Sequence, residues 1–212
     1  MFDTYIPALK YKVFTPFYDW FIKLTMPELA VKNFMIGLAN HQENDKVLDY
    51  GSGTGTLLVL LKKKFIGLKV FGYDVDSQIN DLAKNKLSKD GLEAIITPDW
   101  EVIAKQRPFD TIYSSWVFHH LTDSHKTTAF KNIFEVLKPG GIFVLTDWGK
   151  PSNWLMEVLF FMLQCVDNFE TTSANKRGEI PNYLKKSGFS DIQMIKRQNT
   201  IMGTLYFWKV TK

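Results

Sequence analysis

Five short apolar runs alternate with helical segments between residues 46 and 147, and then the alternation stops. Strands are expected at 46–50, 69–73, 93–97, 110–114 and 142–147, with helices near 55–64, 77–89, 101–106 and 123–137 between them. Connections of that length act as crossovers, so these strands must lie parallel in a sheet covered on both faces. The tail behaves differently. After a helix at 180–187, two more strand-like runs, 191–199 and 204–211, are separated only by Thr200 to Gly203. That spacer is too short for a crossover, so the last two strands must pair antiparallel. The expectation is an α/β fold: a seven-stranded, mostly parallel sheet finishing in a hairpin.

The first strand breaks into alternating glycines, Gly51, Gly53 and Gly55, and an apolar helical run opens at Leu57. Glycines at a strand-to-helix junction let backbone N–H groups and a helix N-terminus approach a ligand closely. An ordinary glycine-rich corner accounts for one such glycine better than for three. The pattern G-x-G-x-G has Thr56 where the dinucleotide fingerprint wants a third glycine, which counts against NAD. It also lacks the Lys-Ser/Thr of a nucleoside-triphosphate loop. Asp74 closes the second strand, where a carboxylate can accept both hydroxyls of a ribose or merely cap a turn.

Composition narrows the class. The 212 residues are 45% hydrophobic and 23% charged, ordinary values for a globular chain. Aromatics reach 15%, which either fills a Phe-rich core or lines an apolar acceptor cavity. The net charge is +4, but the Lys62–Lys64 run ends a helix, where the dipole favours cations, so no nucleic-acid partner is expected. A single cysteine, Cys165, excludes an internal disulfide and fits a reducing, cytoplasmic setting. No signal peptide is visible, and no apolar run approaches the roughly 18 residues a spanning helix needs. Monomer and homodimer both remain open.

One domain over 1–212 is expected, in four parts: an N-terminal helical cap over 1–40, a cofactor-binding core over 46–147, an insertion over 148–179, and a closing helix and hairpin over 180–212. Prolines 16 and 27 break the cap into short helices carrying Tyr11, Phe14, Phe17, Tyr18 and Phe21. The insertion follows strand five at the ligand-binding edge of such sheets, where a lid is expected, with a packing helix as the alternative.

At these residues a resemblance emerges. VLDYGSGTGTL resembles motif I of the class I S-adenosylmethionine-dependent methyltransferases, a Rossmann-like family. FGYDVD is similar to the ribose-binding motif, TPDW to the adenine-side loop and FDTIYSSWVFHHL to the strand-four motif. LKPGG resembles the approach to strand five, and GFSDIQM with GTLYFWKV resembles the closing hairpin. The likeness is close over 46–148 and looser over the last 30 residues.

The resemblance implies S-adenosylmethionine as cofactor and S-adenosylhomocysteine as product. Gly51, Gly53 and Gly55 would shape the turn against the methionine part, with Ser52 standing where many members have Cys. Asp49 would help hold the amino group and Asp74 the ribose, with Val75 beside it. Asp99 would face the adenine amino group, Trp100 would flank the ring, and Ser115 would line the site near the sulfonium. Asp76, where the family often has Ser, caps the next helix instead.

A sulfonium methyl donor asks mainly for positioning and exclusion of water. If the acceptor must lose a proton, the candidate bases are His119, His120 and Asp147, although paired histidines also merely pack a helix start. There is no N/D-P-P-Y/F after strand four, no double-glutamate hairpin, and only Asp147 where a magnesium cluster would need several acids, so no metal is expected. What remains is a small apolar or aromatic acceptor, with Tyr18, Trp148, Asp167 and Glu170 as candidates to face it. Two rivals stand beside this: a non-catalytic S-adenosylmethionine-binding sensor or partner subunit, and an NAD-linked oxidoreductase.

Overall fold

The computed structural model describes residues 28–212. Expectations for residues 1–27, Tyr18 among them, lie outside the described residues. The described chain starts with helix α1 (Glu28–Ile36), followed by β1 (Lys46–Tyr50), α2 (Thr56–Lys64), β2 (Lys69–Tyr73) and α3 (Ser77–Lys89). Then come β3 (Ile95–Thr97), α4 (Trp100–Ala104), β4 (Phe109–Ser115), a 3-10 turn (Phe118–His120), α5 (Asp123–Val136) and β5 (Leu137–Trp148). Helices α6 (Trp154–Val166), α7 (Phe169–Arg177) and α8 (Ile180–Lys186) lead to β6 (Asp191–Thr200) and β7 (Gly203–Thr211).

These strands form one seven-stranded sheet in the order β3-β2-β1-β4-β5-β7-β6. The pairs β1–β2, β1–β4, β2–β3 and β4–β5 are parallel, and β5–β7 and β6–β7 are antiparallel. The expected topology is thus the observed one. Strand alternation divides the core in two. Leu48, Phe71, Ile112 and Phe143 pack with α4, α5 and α8 on one face. Val47, Val70, Tyr113 and Val144 pack with α1, α2, α3 and α6 on the other.

Local capping sets the helix starts. The Asp76 side chain accepts from Gln78 and Ile79 N–H at 2.9 and 3.3 Å, and Asp99 accepts from Glu101 N–H at 2.9 Å. One boundary moves. Strand five starts at Leu137 rather than 142, because Leu137 already pairs with Phe109 before the KPGG segment bulges and pairing resumes at Thr111–Ile142. Lys212, just past the hairpin, supports that bulge: Gly140 N–H donates to the Lys212 carbonyl, and Lys212 N–H donates to the Gly141 carbonyl.

Lys212 also closes α5. Its ammonium donates to the carbonyls of Phe134 at 2.5 Å and Leu137 at 2.7 Å, which the helix end leaves unpaired. Replacement by Met keeps the stem and removes the charge. The Lys212→Met variant is expected to lose about 0.5–1.5 kcal/mol of stability, read by urea unfolding.

Candidate active site

The site assembles where β1, β2 and β4 end. Gly51, Gly53 and Gly55 all have positive φ, at 75°, 51° and 75°. At Gly51 a Cβ would sit 2.2 Å from Val117 Cγ2, so that glycine is needed for close approach as well as for conformation. A Cβ at Gly53 would meet nothing within 4 Å, so this part of the turn faces open space. The turn is anchored to β2. Gly51 and Ser52 N–H groups donate to the Tyr73 carbonyl at 2.7 and 3.0 Å, and Gly53 N–H donates to Asp74 Oδ2 at 2.9 Å. Asp76 N–H reaches the other Asp74 oxygen at 3.1 Å, leaving outward lone pairs on a carboxylate held rigidly at the mouth.

Asp49 is the exceptional residue. It is 1% exposed, and neither carboxylate oxygen has a hydrogen-bond partner. Burial drives its pKa up to about 7, opposed by the charge of Lys32, which is itself paired with Glu28 at 2.8 Å. A buried acid without a donor is costly unless a cation completes it. The Ser52 hydroxyl beside it is likewise buried and unpartnered. An amino-acid ammonium would satisfy Asp49, and the open backbone at Gly53 admits the rest of such a ligand, so the residues present fit the methionine end of S-adenosylmethionine.

Around this turn, Val75 is exposed and Trp100 is half-buried, its ring edge-on to Tyr50 at 5.7 Å and Tyr73 at 5.2 Å. Asp99 is exposed, with one oxygen occupied by its cap. Ser115 is buried at the end of β4. Next to it lies a residue that the motifs do not flag. Trp116 has a left-handed φ of 56°, and its indole N–H is buried without a partner. Strain of that kind in a bulky residue collects at functional sites.

Past β4 the structure brings four of the nominated residues together. Asp147 is fully buried and accepts from His119 N–H at 3.1 Å, His119 Nδ1 at 2.6 Å and Trp148 N–H at 2.7 Å. On its other side, His119 Nε2 lies 3.6 Å from Asp167 Oδ2, at the corner between α6 and α7. The His120 ring packs 3.9 Å from that of His119. Burial pulls the His119 pKa down, but Asp147 outweighs it and the net shift is upward. His120 is held well below its ordinary range, first by burial and then by its neighbour. Asp167 is raised by burial more than His119 lowers it.

Three of the nominated residues have distinct surroundings. Asp147 accepts from three N–H donors, two of them on His119, which it holds in place. Trp148 is 3% exposed, in the core cluster with Phe160 and Phe207. Glu170 is exposed on α7 and does not join the cluster containing Asp167. The insertion itself is tied down by polar groups. Asn175 donates to the Trp148 carbonyl at 2.9 Å and Gln164 to the Thr172 hydroxyl at 3.1 Å. Lys126 of α5, fully buried, donates to the carbonyls of Leu121 and Thr171, joining the 3-10 turn to α7. A signal for Lys126 existed: it shares the stripe of Ala129, Phe130 and Ile133, where an apolar residue belongs.

Residues 25–194 match the model of a family described as a methyltransferase domain. That is most of the chain. The chain belongs to this family. With its seven-stranded sheet and closing hairpin, it has the Rossmann-like fold of the class I S-adenosylmethionine-dependent methyltransferases. An uncharacterized methyltransferase of Oceanobacillus iheyensis is 37% identical over 103 residues, covering 49% of this chain and 46% of the relative. The phosphoethanolamine N-methyltransferase of Plasmodium falciparum is 34% identical over 117 residues, 53% of this chain and 43% of that enzyme. The chain therefore spans less than half the length of these curated relatives. Among solved structures, Haemonchus contortus phosphoethanolamine N-methyltransferase 2, in complex with phosphomonomethylethanolamine and S-adenosylhomocysteine, superposes with a TM-score of 0.66 at 18% identity, covering 86% of this chain and 52% of that one. No helix among the described residues is long and apolar enough to cross a membrane.

Burial depresses the Lys126 ammonium to about 8, below its unfolded value near 10.5. The folded state then binds fewer protons than the unfolded one between pH 8 and 10.5, so this group makes stability rise with pH across that window. Denaturant unfolding of wild type and Lys126→Met at pH 7, 8, 9 and 10 is expected to show that rise in the wild type minus variant difference.

Proposed function

We propose that the chain transfers a methyl group from S-adenosylmethionine to a small acceptor held between the 3-10 turn after β4 and the α6–α7 segment. The observation that carries this is the buried, unpartnered Asp49 carboxylate beside a glycine turn open at Gly53. Asp49 would accept from the amino group and Asp74 from the ribose hydroxyls. Val75, Asp99 and Trp100 surround the adenine side, and Ser115 lines the floor. When bound, the cofactor supplies an electrophilic methyl group, so the protein's work is to align the acceptor and keep water out. With its Nδ1–H held by Asp147, His119 keeps a lone pair on Nε2 toward Asp167, where it can take a proton or bind a cation.

The acceptor proposed is apolar or aromatic. Leu155, Val158, Phe161 and Met162 of α6 remain exposed, an apolar face on the segment expected to cover it. A phosphorylated amino alcohol is the second reading, favoured by similarity to the Plasmodium enzyme and by the buried charged groups Lys126, His119 and Asp167. Turnover on an acceptor panel containing both classes, followed by S-adenosylhomocysteine release, separates the two.

Cofactor binding is tested by calorimetry with S-adenosylhomocysteine and NAD. S-adenosylhomocysteine alone should bind; binding of NAD alone would overturn the reading. Asp74→Ala is expected to weaken S-adenosylhomocysteine binding by about 1–3 kcal/mol through the lost charged acceptor.

Asp49 gives a second expectation with a defined sign. Its folded pKa near 7 lies above the ordinary carboxyl value of 3.8, so folding favours its protonated form. Its contribution to the ligand-free protein is present below about pH 4 and lost as pH rises to 7. Binding an ammonium requires the ionised form, so affinity should fall as pH drops below 7. Asp49→Asn is expected to stabilise the ligand-free protein at pH 8 by about 1–3 kcal/mol while weakening S-adenosylhomocysteine binding, read by thermal unfolding and calorimetry together.

A further inference from the structure

We infer that His119, His120 and Asp167 form a binding site for a divalent transition metal of the zinc class, which fastens the α6–α7 corner to the turn after β4. One donor atom from each residue lies within 4.8 Å of the others. They come from two separate pieces of the fold: the histidines from the 3-10 turn, the aspartate from the residue that ends α6. The site is sheltered, with His119 and Asp167 side chains only 4% and 6% exposed.

The spacing is longer than a hydrogen-bonded ion pair and compatible with a shared metal. A direct hydrogen bond between His119 Nε2 and Asp167 Oδ2 would bring them to roughly 2.7–3.0 Å. They stand at 3.6 Å. Zinc bonds of about 2.0–2.2 Å in tetrahedral geometry place ligand atoms about 3.3 Å apart, nearer the observed distance. Among the described residues, the polar contact recorded for the Asp167 carboxylate is this one to His119, so a sheltered acid faces the two imidazoles.

Asp147 supplies the outer shell. It takes the Nδ1–H of His119 at 2.6 Å and is itself fixed by the backbone N–H groups of His119 and Trp148. A carboxylate behind a histidine fixes the tautomer that offers Nε2 to a metal and raises its basicity. Formal charge agrees: Asp147 and Asp167 against Lys126 leave a negative excess around two imidazoles. Two imidazoles and one carboxylate suit zinc, cobalt or nickel rather than magnesium or calcium. Three protein ligands leave a fourth position for water or for an oxygen of the acceptor.

The inference does not depend on methyl transfer, and its test reads the metal directly. Chelator-treated, dialysed full-length protein is titrated with cobalt(II), and zinc is then added in competition. One cobalt per chain with the visible absorption of a four-coordinate ion, displaced by zinc, is expected. Asp167→Asn and His120→Gln should each weaken zinc binding at least tenfold, and Asp147→Asn by about 10–100-fold through the outer shell. Glu157→Gln, on the same insertion, should leave it unchanged. Circular dichroism confirms that each variant is folded, and zinc should raise the melting temperature of the wild type but not of Asp167→Asn. Absence of the cobalt spectrum, or equal zinc affinity in wild type and Asp167→Asn, overturns the assignment.

Discussion

Two backbone N–H groups, those of Gly53 and Asp76, converge on the two oxygens of Asp74, and the ligand-binding edge takes its shape from that clasp. It locks a turn of three positive-φ glycines to the end of β2 and holds a carboxylate at the mouth. Gly51 and Ser52 add their N–H groups to the Tyr73 carbonyl, so the turn has little freedom left before any ligand arrives. Side chains at Gly51 and Gly55 would collide with Val117 and Ala83. Preorganisation of this kind lowers the ordering cost of binding.

Against that rigid turn, the uncompensated groups stand out. Asp49, Ser52 and the Trp116 indole are buried polar groups without partners at the ends of β1 and β4, while His41, Asn80 and Asn175 each leave a single buried atom unpaired elsewhere. By contrast, two other buried charges are answered: Lys126 by two carbonyls, Asp147 by three N–H groups. Native proteins leave few buried polar atoms unsatisfied, and those they leave tend to be served by a ligand. The buried Asp49 carboxylate among these groups is the physical ground for proposing a binding site at this edge.

Much of the fold was legible because its signals are local. The VFGY run ending at Asp74, and the TIYS run, read as buried strands since both sheet faces are covered. The short spacer at Thr200 to Gly203 required an antiparallel hairpin. The start of β5 was missed because pairing of Leu137 with Phe109 depends on a partner strand distant in sequence. The acidic candidates fared unevenly for a related reason. Asp167 and Glu170 look equivalent along the chain, yet the α6–α7 corner turns one toward His119 and the other to solvent.

Sequence by itself determined the sheet, its closing hairpin and the three-glycine turn between β1 and α2. Strand periodicity, spacer length and glycine φ preference act over a few residues and can be read without a partner. Tertiary structure alone decided what each acid does. A carboxylate's role depends on which donors reach it: none for Asp49, two backbone N–H groups for Asp74, three N–H groups for Asp147, a distant imidazole for Asp167. Those donors are brought in by other strands and helices, so their identity is a property of the fold and not of the local sequence.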